Sequence, residues 1–158
     1  MTYRVFEADE WEIRPDESAQ EHMARIFQEA LAPDPEGKRV INDMLGAVFL
    51  NCDVQEKTLT LKFHAKDWMN NPNGTLHGGL LATASDVTMG MLTRYYKRQE
   101  SCVTVQMSVN YLRSIEADAD FYVCARAEKV GRRVLFLSAD VFEQKSAKKA
   151  GEVTAVFM

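Results

Sequence analysis

The stretch Asn71-Pro72-Asn73-Gly74-Thr75-Leu76-His77-Gly78-Gly79 runs without a break into the apolar segment Leu80-Leu81-Ala82-Thr83-Ala84-Ser85-Asp86. Its Asn-Pro and Asn-Gly pairs predict tight turns, and the periodic apolar residues that follow predict a long helix that ends near Tyr96. The glycine pair at the junction lets another molecule approach the backbone closely, because glycine has no Cβ. Free N–H groups at a helix start attract anions or developing negative charge. The sequence therefore predicts a polar turn at which a negative group can bind.

The predicted helix has two distinct faces. Its core stripe follows the i, i+4, i+7 spacing and contains Leu80, Ala84, Val87, Met91 and Tyr95. A second stripe holds small or polar residues, namely Gly79, Thr83, Asp86, Gly90 and Thr93. Burying a carboxylate such as Asp86 is costly unless the group is satisfied or used. Two interpretations follow: Asp86 bonds a neighbouring backbone group and only fixes the packing, or it takes part in chemistry.

The loop and the acid together resemble a known family. Asn71 lies six residues before His77, and Asp86 lies nine residues after it. This arrangement resembles the active-site loop and central helix of hotdog-fold acyl-CoA thioesterases, specifically the PaaI-like group of the 4-hydroxybenzoyl-CoA thioesterase superfamily. The resemblance extends roughly over residues 44–158. It implies an α+β fold in which an antiparallel sheet of about five to six strands wraps round one long central helix. It also implies thioester hydrolysis without a metal or other cofactor, coenzyme A being part of the substrate.

The resemblance assigns roles to five residues. Asp86 matches the catalytic acid, acting as nucleophile or general base, and Gly78 matches the backbone amide that binds the oxyanion. Asn71 matches a side chain that orients the water or the leaving sulfur. His77 matches a residue that shapes the loop. Thr104 matches a hydroxyl residue on the following strand that holds the water near the acid, where the family often has Ser.

Simpler interpretations of these residues stay open. Asn71 is also a common turn residue, and a His77 ring bonded to the backbone is an alternative to a proton shuttle. Strand alternation places Thr104 on one face with Gln106 and Ser108, where a threonine also suits a polar strand surface. The residues alone do not show that this face meets Asp86.

Substrate and partner expectations also follow from the resemblance. The site of the family forms between two subunits, so the resemblance implies a homodimer, with a dimer of dimers as a further assembly. The phosphates of coenzyme A need basic residues near the site mouth. The candidates for substrate binding are Gly79 and the basic residues Arg113, Arg132 and Arg133. Lys129 lies in the same turn as Arg132 and Arg133 and is a further basic candidate. Each basic residue is equally consistent with a solvated turn charge.

Composition sets the class of protein. The length of 158 residues is typical of one globular domain. The net charge of −4 argues against a nucleic-acid binder, which would normally carry an excess of basic residues. We assign residues 1–158 to one hotdog domain, with an N-terminal arm and helix in residues 1–40 and the hotdog core in residues 41–158. The first residues lack the apolar core of a signal peptide and no apolar run reaches membrane-spanning length, so we expect a cytoplasmic protein without a membrane partner. The cysteines Cys52, Cys102 and Cys124 lack metal-ligand spacing, and we expect them to be buried, reduced thiols.

The order of the elements supports the hotdog layout. Residues 1–14 suggest an arm or short strand, Ser18 and Glu21 predict a capping box that starts a helix, and the turn at residues 33–37 ends it. Six strands are predicted, at residues 43–54, 58–64, 102–112, 120–130, 133–142 and 152–158. One long helix among six strands is most simply covered by a sheet that wraps round it. His22 and His64 are expected at the surface.

Three functions are consistent with this sequence. An acyl-CoA thioesterase is preferred. The first alternative is a hotdog protein without activity that binds acyl-CoA or another apolar ligand. The second is a hotdog enoyl-CoA hydratase or dehydratase, which would pair a histidine with the acid.

Overall fold

The computed structural model describes residues 10–32, 40–98 and 102–158. The helices are α1 (Ala19–Ala30), α2 (Ile41–Leu45) and α3 (Gly78–Tyr96), and a 3-10 turn spans Asp67–Met69. The strands are β1 (Val48–Asp53), β2 (Thr58–His64), β3 (Thr104–Tyr111), β4 (Asp120–Val130), β5 (Leu135–Glu143) and β6 (Lys149–Phe157). The predicted turn at residues 33–37 and most of the expected N-terminal arm lie outside the described residues.

One antiparallel sheet wraps round the central helix. Its strand order is β1-β2-β4-β5-β6-β3, and each neighbouring pair is antiparallel. Helix α3 packs against strands β2 to β6, and its buried residues Ala84, Met89 and Leu92 belong to the same apolar core as the inward-facing strand residues. Strand β2 shows the period-2 alternation clearly, with Leu59, Leu61 and Phe63 buried and their neighbours half-buried. The predicted hotdog arrangement is confirmed.

Helix α1 covers the β1 side of the sheet. The predicted capping box is confirmed, since the Ser18 hydroxyl accepts from the Glu21 N–H and the Glu21 carboxylate accepts from the Ser18 N–H. Phe27 stacks on Phe49 of β1 with ring centroids 6.5 Å apart, and it contacts Tyr95 of α3 at 5.4 Å. The helix therefore ties the first strand to the end of the central helix.

His22 is buried rather than at the surface, which corrects the expectation. Only 5% of it is exposed. Its Nε2 donates to the Trp11 carbonyl at 2.8 Å, and Nδ1 lies 3.2 Å from the Tyr95 hydroxyl. Residues 10–14 form a turn and irregular chain that lies over α1, not a strand, and this turn covers the ring.

His64 lies on the solvent side of β2, as predicted. Its ring is held between Asp120, at 2.7 Å, and Asp118, at 3.0 Å. These hydrogen bonds, the Asp120 bond first, raise the pKa of His64, and the same contact lowers the pKa of Asp120. The histidine is therefore engaged in an ion-pair group at the sheet surface.

Several predicted strand boundaries were wrong by a few residues. Residues 43–45 belong to α2, which ends at Gly46 in the left-handed conformation (φ 68°), so β1 begins at Val48. Strand β3 begins at Thr104 instead of residue 102, β5 at Leu135 instead of 133, and β6 at Lys149 instead of 152. Alternation marks the middle of a strand well, but its ends depend on pairing partners.

Strand β3 lies at the edge of the sheet, and among the described residues it pairs only with β6. Period-2 alternation in the sequence predicts one shared face for Val103, Val105, Met107, Val109 and Tyr111. Only Met107 and Val109 pack against the core, whereas Val103, Val105 and Tyr111 are 52%, 57% and 55% exposed. This edge is therefore apolar and open in a single chain.

The three cysteines are free thiols. Cys52 is buried, whereas Cys102 and Cys124 are half-buried. Burial raises the pKa of the Cys52 and Cys102 thiols.

Within residues 10–32, 40–98 and 102–158, no helix is both long and apolar enough to span a membrane.

Candidate active site

Asn71 organises the turn that leads into α3. Its side-chain oxygen accepts from the N–H groups of Asn73, at 2.9 Å, and Thr75, at 3.3 Å. Its side-chain nitrogen donates to the Thr75 hydroxyl at 2.9 Å. Gly74 takes a positive φ of 74° at the tip of this turn, a conformation that glycine adopts without steric cost. The amide of Asn71 is thus used by its own loop, and its role towards a water or a sulfur stays a prediction.

His77 caps the start of α3. Its Nδ1 accepts from the Gly79 N–H at 2.9 Å, its carbonyl accepts from Leu80 and Leu81, and its N–H donates to Met69. Because Nδ1 accepts a hydrogen bond, it carries no proton in this arrangement. The prediction that this ring bonds the backbone is confirmed.

The cap leaves one donor of the first helical turn unused. The N–H groups of Gly79, Leu80 and Leu81 all bond His77, whereas that of Gly78 has no hydrogen-bond acceptor in the part of the chain that the structure describes. A free N–H at a helix start is the positive end of the helix dipole. Gly78 is therefore the donor that an oxyanion can reach.

Asp86 lies further along the same helix, half-exposed. Its Oδ1 accepts from the Thr104 hydroxyl at 2.6 Å, and no described residue donates to Oδ2. Thr83 beside it bonds the Gly79 carbonyl, and a Cβ placed on Gly90 would meet only the Phe157 ring, at 3.6 Å. The hydrogen bond of Asp86 comes from a side chain rather than from neighbouring backbone, and its part in the chemistry stays a prediction.

A β-bulge brings Thr104 to Asp86. Thr104 pairs with Phe157 and Gln106 with Val156, so one extra residue stands between them on β3. A bulge reverses the alternation from that point. Thr104 therefore faces α3, as Met107 and Val109 do, instead of sharing the outer face with Gln106 and Ser108. Only the resemblance, and no signal in the alternation, indicated this contact.

Gly78 and Asp86 are separated on one rigid element. Eight residues of helix place them about 12 Å apart along the axis, at 1.5 Å per residue. A reacting carbonyl needs both its attacking group and its oxyanion donor within about 3–3.5 Å. The two groups of one chain are too far apart to serve the same carbonyl.

Tyr111 is a contact that the sequence analysis missed. Its hydroxyl donates to the Gly78 carbonyl at 3.1 Å, and its ring lies against the Gly78 Cα. Beyond the bulge the odd-numbered residues Met107 and Val109 face the core, and Tyr111 continues that face to the helix start. The alternation of residues along a strand does not indicate that one of its side chains bonds the backbone at the start of a helix.

The candidate basic residues lie at different ends of α3. Arg113 follows β3 directly after the Tyr111 contact, so it lies near the helix start. Arg132 offers its carbonyl to the Lys97 ammonium at the helix end, and Arg133 is next to it. The helix is about 28 Å long, so within one chain Arg132 and Arg133 lie far from Gly78 and Gly79, whereas Arg113 lies at the same end as these glycines. The roles of all three arginines stay predictions. Among the described side chains, no three His, Cys, Asp or Glu residues are grouped as metal ligands.

The chain is similar to proteins of known family. Residues 73–150 match the model of the family described as the thioesterase superfamily. The Pseudomonas aeruginosa protein named "Putative esterase PA0474" is 31% identical over 98 residues, which cover 61% of this chain and 72% of that protein. Human acyl-coenzyme A thioesterase 13 is 32% identical over 78 residues, covering 49% of this chain and 56% of that protein. The crystal structure of zebrafish thioesterase superfamily member 2 has a TM-score of 0.71 at 23% identity and covers 88% of this chain and 96% of that chain, a likeness of fold.

Proposed function

This chain belongs to the thioesterase superfamily, and from that premise we propose that it hydrolyses an acyl- or aryl-CoA thioester to a free acid and coenzyme A. The human relative is named an acyl-coenzyme A thioesterase, which supports this substrate class. The observation that carries the proposal is the state of Asp86, which accepts a hydrogen bond from Thr104 on one oxygen, while no described residue donates to the other.

In this proposal Asp86 acts on the thioester carbonyl in one of two ways. As general base, its open oxygen takes a proton from water while the water oxygen attacks the carbonyl carbon. As nucleophile, that oxygen attacks directly, and water then hydrolyses the acyl anhydride. In both routes the Gly78 N–H stabilises the oxyanion, and the C–S bond breaks as the electron pair leaves on sulfur, which takes up a proton.

The site is proposed to form between two copies of the chain. The separation of about 12 Å between Gly78 and Asp86 along α3 supports a pairing of the acid of one protomer with the amide of its partner. The open apolar edge of β3 supports a homodimer, with a dimer of dimers as a further assembly. Arg113, Arg132 and Arg133 are the proposed contacts of the coenzyme A phosphates, and a cytoplasmic location is proposed.

The test is a hydrolysis screen over short, medium, long and aromatic acyl-CoAs, with free thiol as the readout. Wild type should release thiol from at least one class. Asp86→Asn should lose about 10²- to 10⁴-fold in kcat, the usual contribution of a positioned acid or base, with an unchanged circular dichroism spectrum. Asp140→Asn, on the outer face of β5, is the matched control and should keep full activity.

Two results would reject the proposal. A fully active Asp86→Asn enzyme would remove this mechanism. Binding of acyl-CoA without turnover in wild type would favour the non-enzymatic hotdog protein instead. The hydratase alternative is disfavoured by the cap geometry, since Nδ1 of His77 is engaged with Gly79 rather than with the acid.

A further inference from the structure

We propose that Tyr111 is a positioning residue that holds the Gly78–Gly79 peptide so that the neighbouring Gly78 N–H points at the substrate carbonyl. The proposal rests on the proposed thioesterase function and on the contacts at the start of α3. It assigns a role to a side chain that lies outside the loop and the acid.

The Gly78–Gly79 peptide unit is held at both of its polar atoms. The Tyr111 hydroxyl donates to its carbonyl oxygen at 3.1 Å, and its N–H donates to Nδ1 of His77 at 2.9 Å. The two contacts come from separate elements, one from β3 and one from the loop before α3. A peptide plane fixed at both ends cannot rotate without breaking one of these bonds.

Two adjacent glycines make such a restraint necessary. Glycine has the largest range of backbone conformations of any residue, and Gly78 and Gly79 are the first two residues of α3, so the helix fixes their amide directions less firmly than those of its later turns. Oxyanion donors assist a reaction when they are already aimed at the developing charge. The Gly78 N–H belongs to the preceding peptide unit, which is joined to the restrained Gly78–Gly79 unit at the Gly78 Cα.

The ring of Tyr111 adds a second restraint by contact. A Cβ on Gly78 would lie 3.1 Å from Cε1 and 3.3 Å from Cζ of Tyr111, which is too close for an undisturbed ring. The ring therefore rests directly on the Gly78 backbone. Because 55% of Tyr111 is exposed in the single chain, its hydroxyl can be removed without opening a core cavity.

The consequence for catalysis is selective. Aiming the amide matters most when charge develops on the oxygen, so it affects the transition state more than substrate binding. A hydrogen bond of ordinary strength corresponds to about a 3- to 10-fold change in rate.

The first experiment compares Tyr111→Phe with wild type in steady-state hydrolysis of the best acyl-CoA from the screen. We expect kcat to fall by about 3- to 10-fold while KM stays within about twofold. Tyr122→Phe is the matched control, because Tyr122 lies on the outer face of β4 opposite Phe142, and it should match wild type. Unchanged kcat in Tyr111→Phe would overturn the inference, as would a loss that appears only in KM.

The second experiment measures amide hydrogen exchange of Gly78 and Gly79 by NMR, with no substrate present. Exchange at Gly79 should be faster in Tyr111→Phe and unchanged in Tyr122→Phe. Unchanged exchange at Gly79 in Tyr111→Phe would show that the restraint does not exist, whatever the turnover. If wild type releases no thiol from any acyl-CoA, the proposed function fails and the catalytic role of Tyr111 fails with it. Faster exchange would then still identify the restraint as real, so the two failures are distinguishable.

Discussion

At the scale of single residues, the bond between Thr104 and Asp86 is the contact that best separates a reactive acid from a structural one. The 2.6 Å hydrogen bond fixes the carboxylate plane, and no residue that the structure describes donates to its second oxygen. We expect Thr104→Ala to lower kcat by about tenfold, because a hydrogen bond to a charged group contributes roughly 1.5–3 kcal/mol and part of it is recovered from water. Thr104→Ser keeps the hydroxyl and should retain most of the activity.

The control for this series is Thr154→Ala. Thr154 is exposed on β6 and lies opposite Ser138 of β5 and Ser108 of β3. Its removal should leave kcat unchanged. Equal activity in Thr104→Ala and Thr104→Ser would contradict a role for the hydroxyl. Steady-state kinetics and a thermal melt of each variant are sufficient measurements.

The residues of the site were predictable to different degrees. Gly78 and His77 follow from a turn-to-helix junction, since a helix start leaves its first N–H groups free and a nearby side chain caps some of them. Asp86 stands out as the acid on a stripe of small residues. The contacts of Thr104 and Tyr111 depend on how β3 pairs with β6. A bulge changes the facing of a strand without any mark in the hydrophobic pattern.

At the scale of elements, helix α1 closes one edge of the sheet through Gln20. The Gln20 side-chain amide donates to the Cys52 carbonyl at 2.7 Å and accepts from the Val54 N–H at 3.0 Å. These two backbone groups lie on either side of Asp53, so the side chain bonds β1 as a neighbouring parallel strand would. The end of this edge, at Cys52 and Val54, is thereby closed to pairing with another chain.

We expect Gln20→Ala to lower the free energy of unfolding by about 1–2 kcal/mol, because two hydrogen bonds are lost at a partly exposed position. It should also increase aggregation on heating, since the β1 edge becomes available. Gln28→Ala, at an exposed position of the same helix, is the control and should change neither. Urea denaturation and light scattering measure the two effects, and identical curves for the two variants would contradict the proposed edge protection.

The elements themselves were predictable where their periodicity is long. Strands β2 and β4 have the predicted limits, since β2 alternates over its whole length and β4 alternates from Asp120 to Ala127, before the irregularity between Ala127 and Lys129. Helix α2 was missed since it has only five residues, too few for a helical period to show. His22 was misplaced because the turn that buries it, at Trp11, comes from a segment without periodic residues.

At the scale of the whole molecule, the sheet has two edges that differ in character. Both edges expose apolar side chains, but at the β1 edge the Gln20 side chain of α1 already bonds the backbone of Cys52 and Val54. Among the described residues β3 pairs with β6 alone, so it offers more unpaired backbone groups for association than β1 does. Dimerisation through β3 is consistent with the proposed intersubunit site.

The distance of about 12 Å between Gly78 and Asp86 on one helix has a consequence for dimers formed from two different variants. If each site takes its acid from one chain and its amide from the other, two different inactive variants can repair each other. Gly78→Ala, whose methyl group would press on Tyr111, and Asp86→Asn should each be inactive alone. Unfolded together and refolded as a mixture, they should regain about a quarter of wild-type activity, because half of the random dimers are mixed and each has one intact site. A mixture as inactive as its parents would mean that every chain works with its own two groups or with neither.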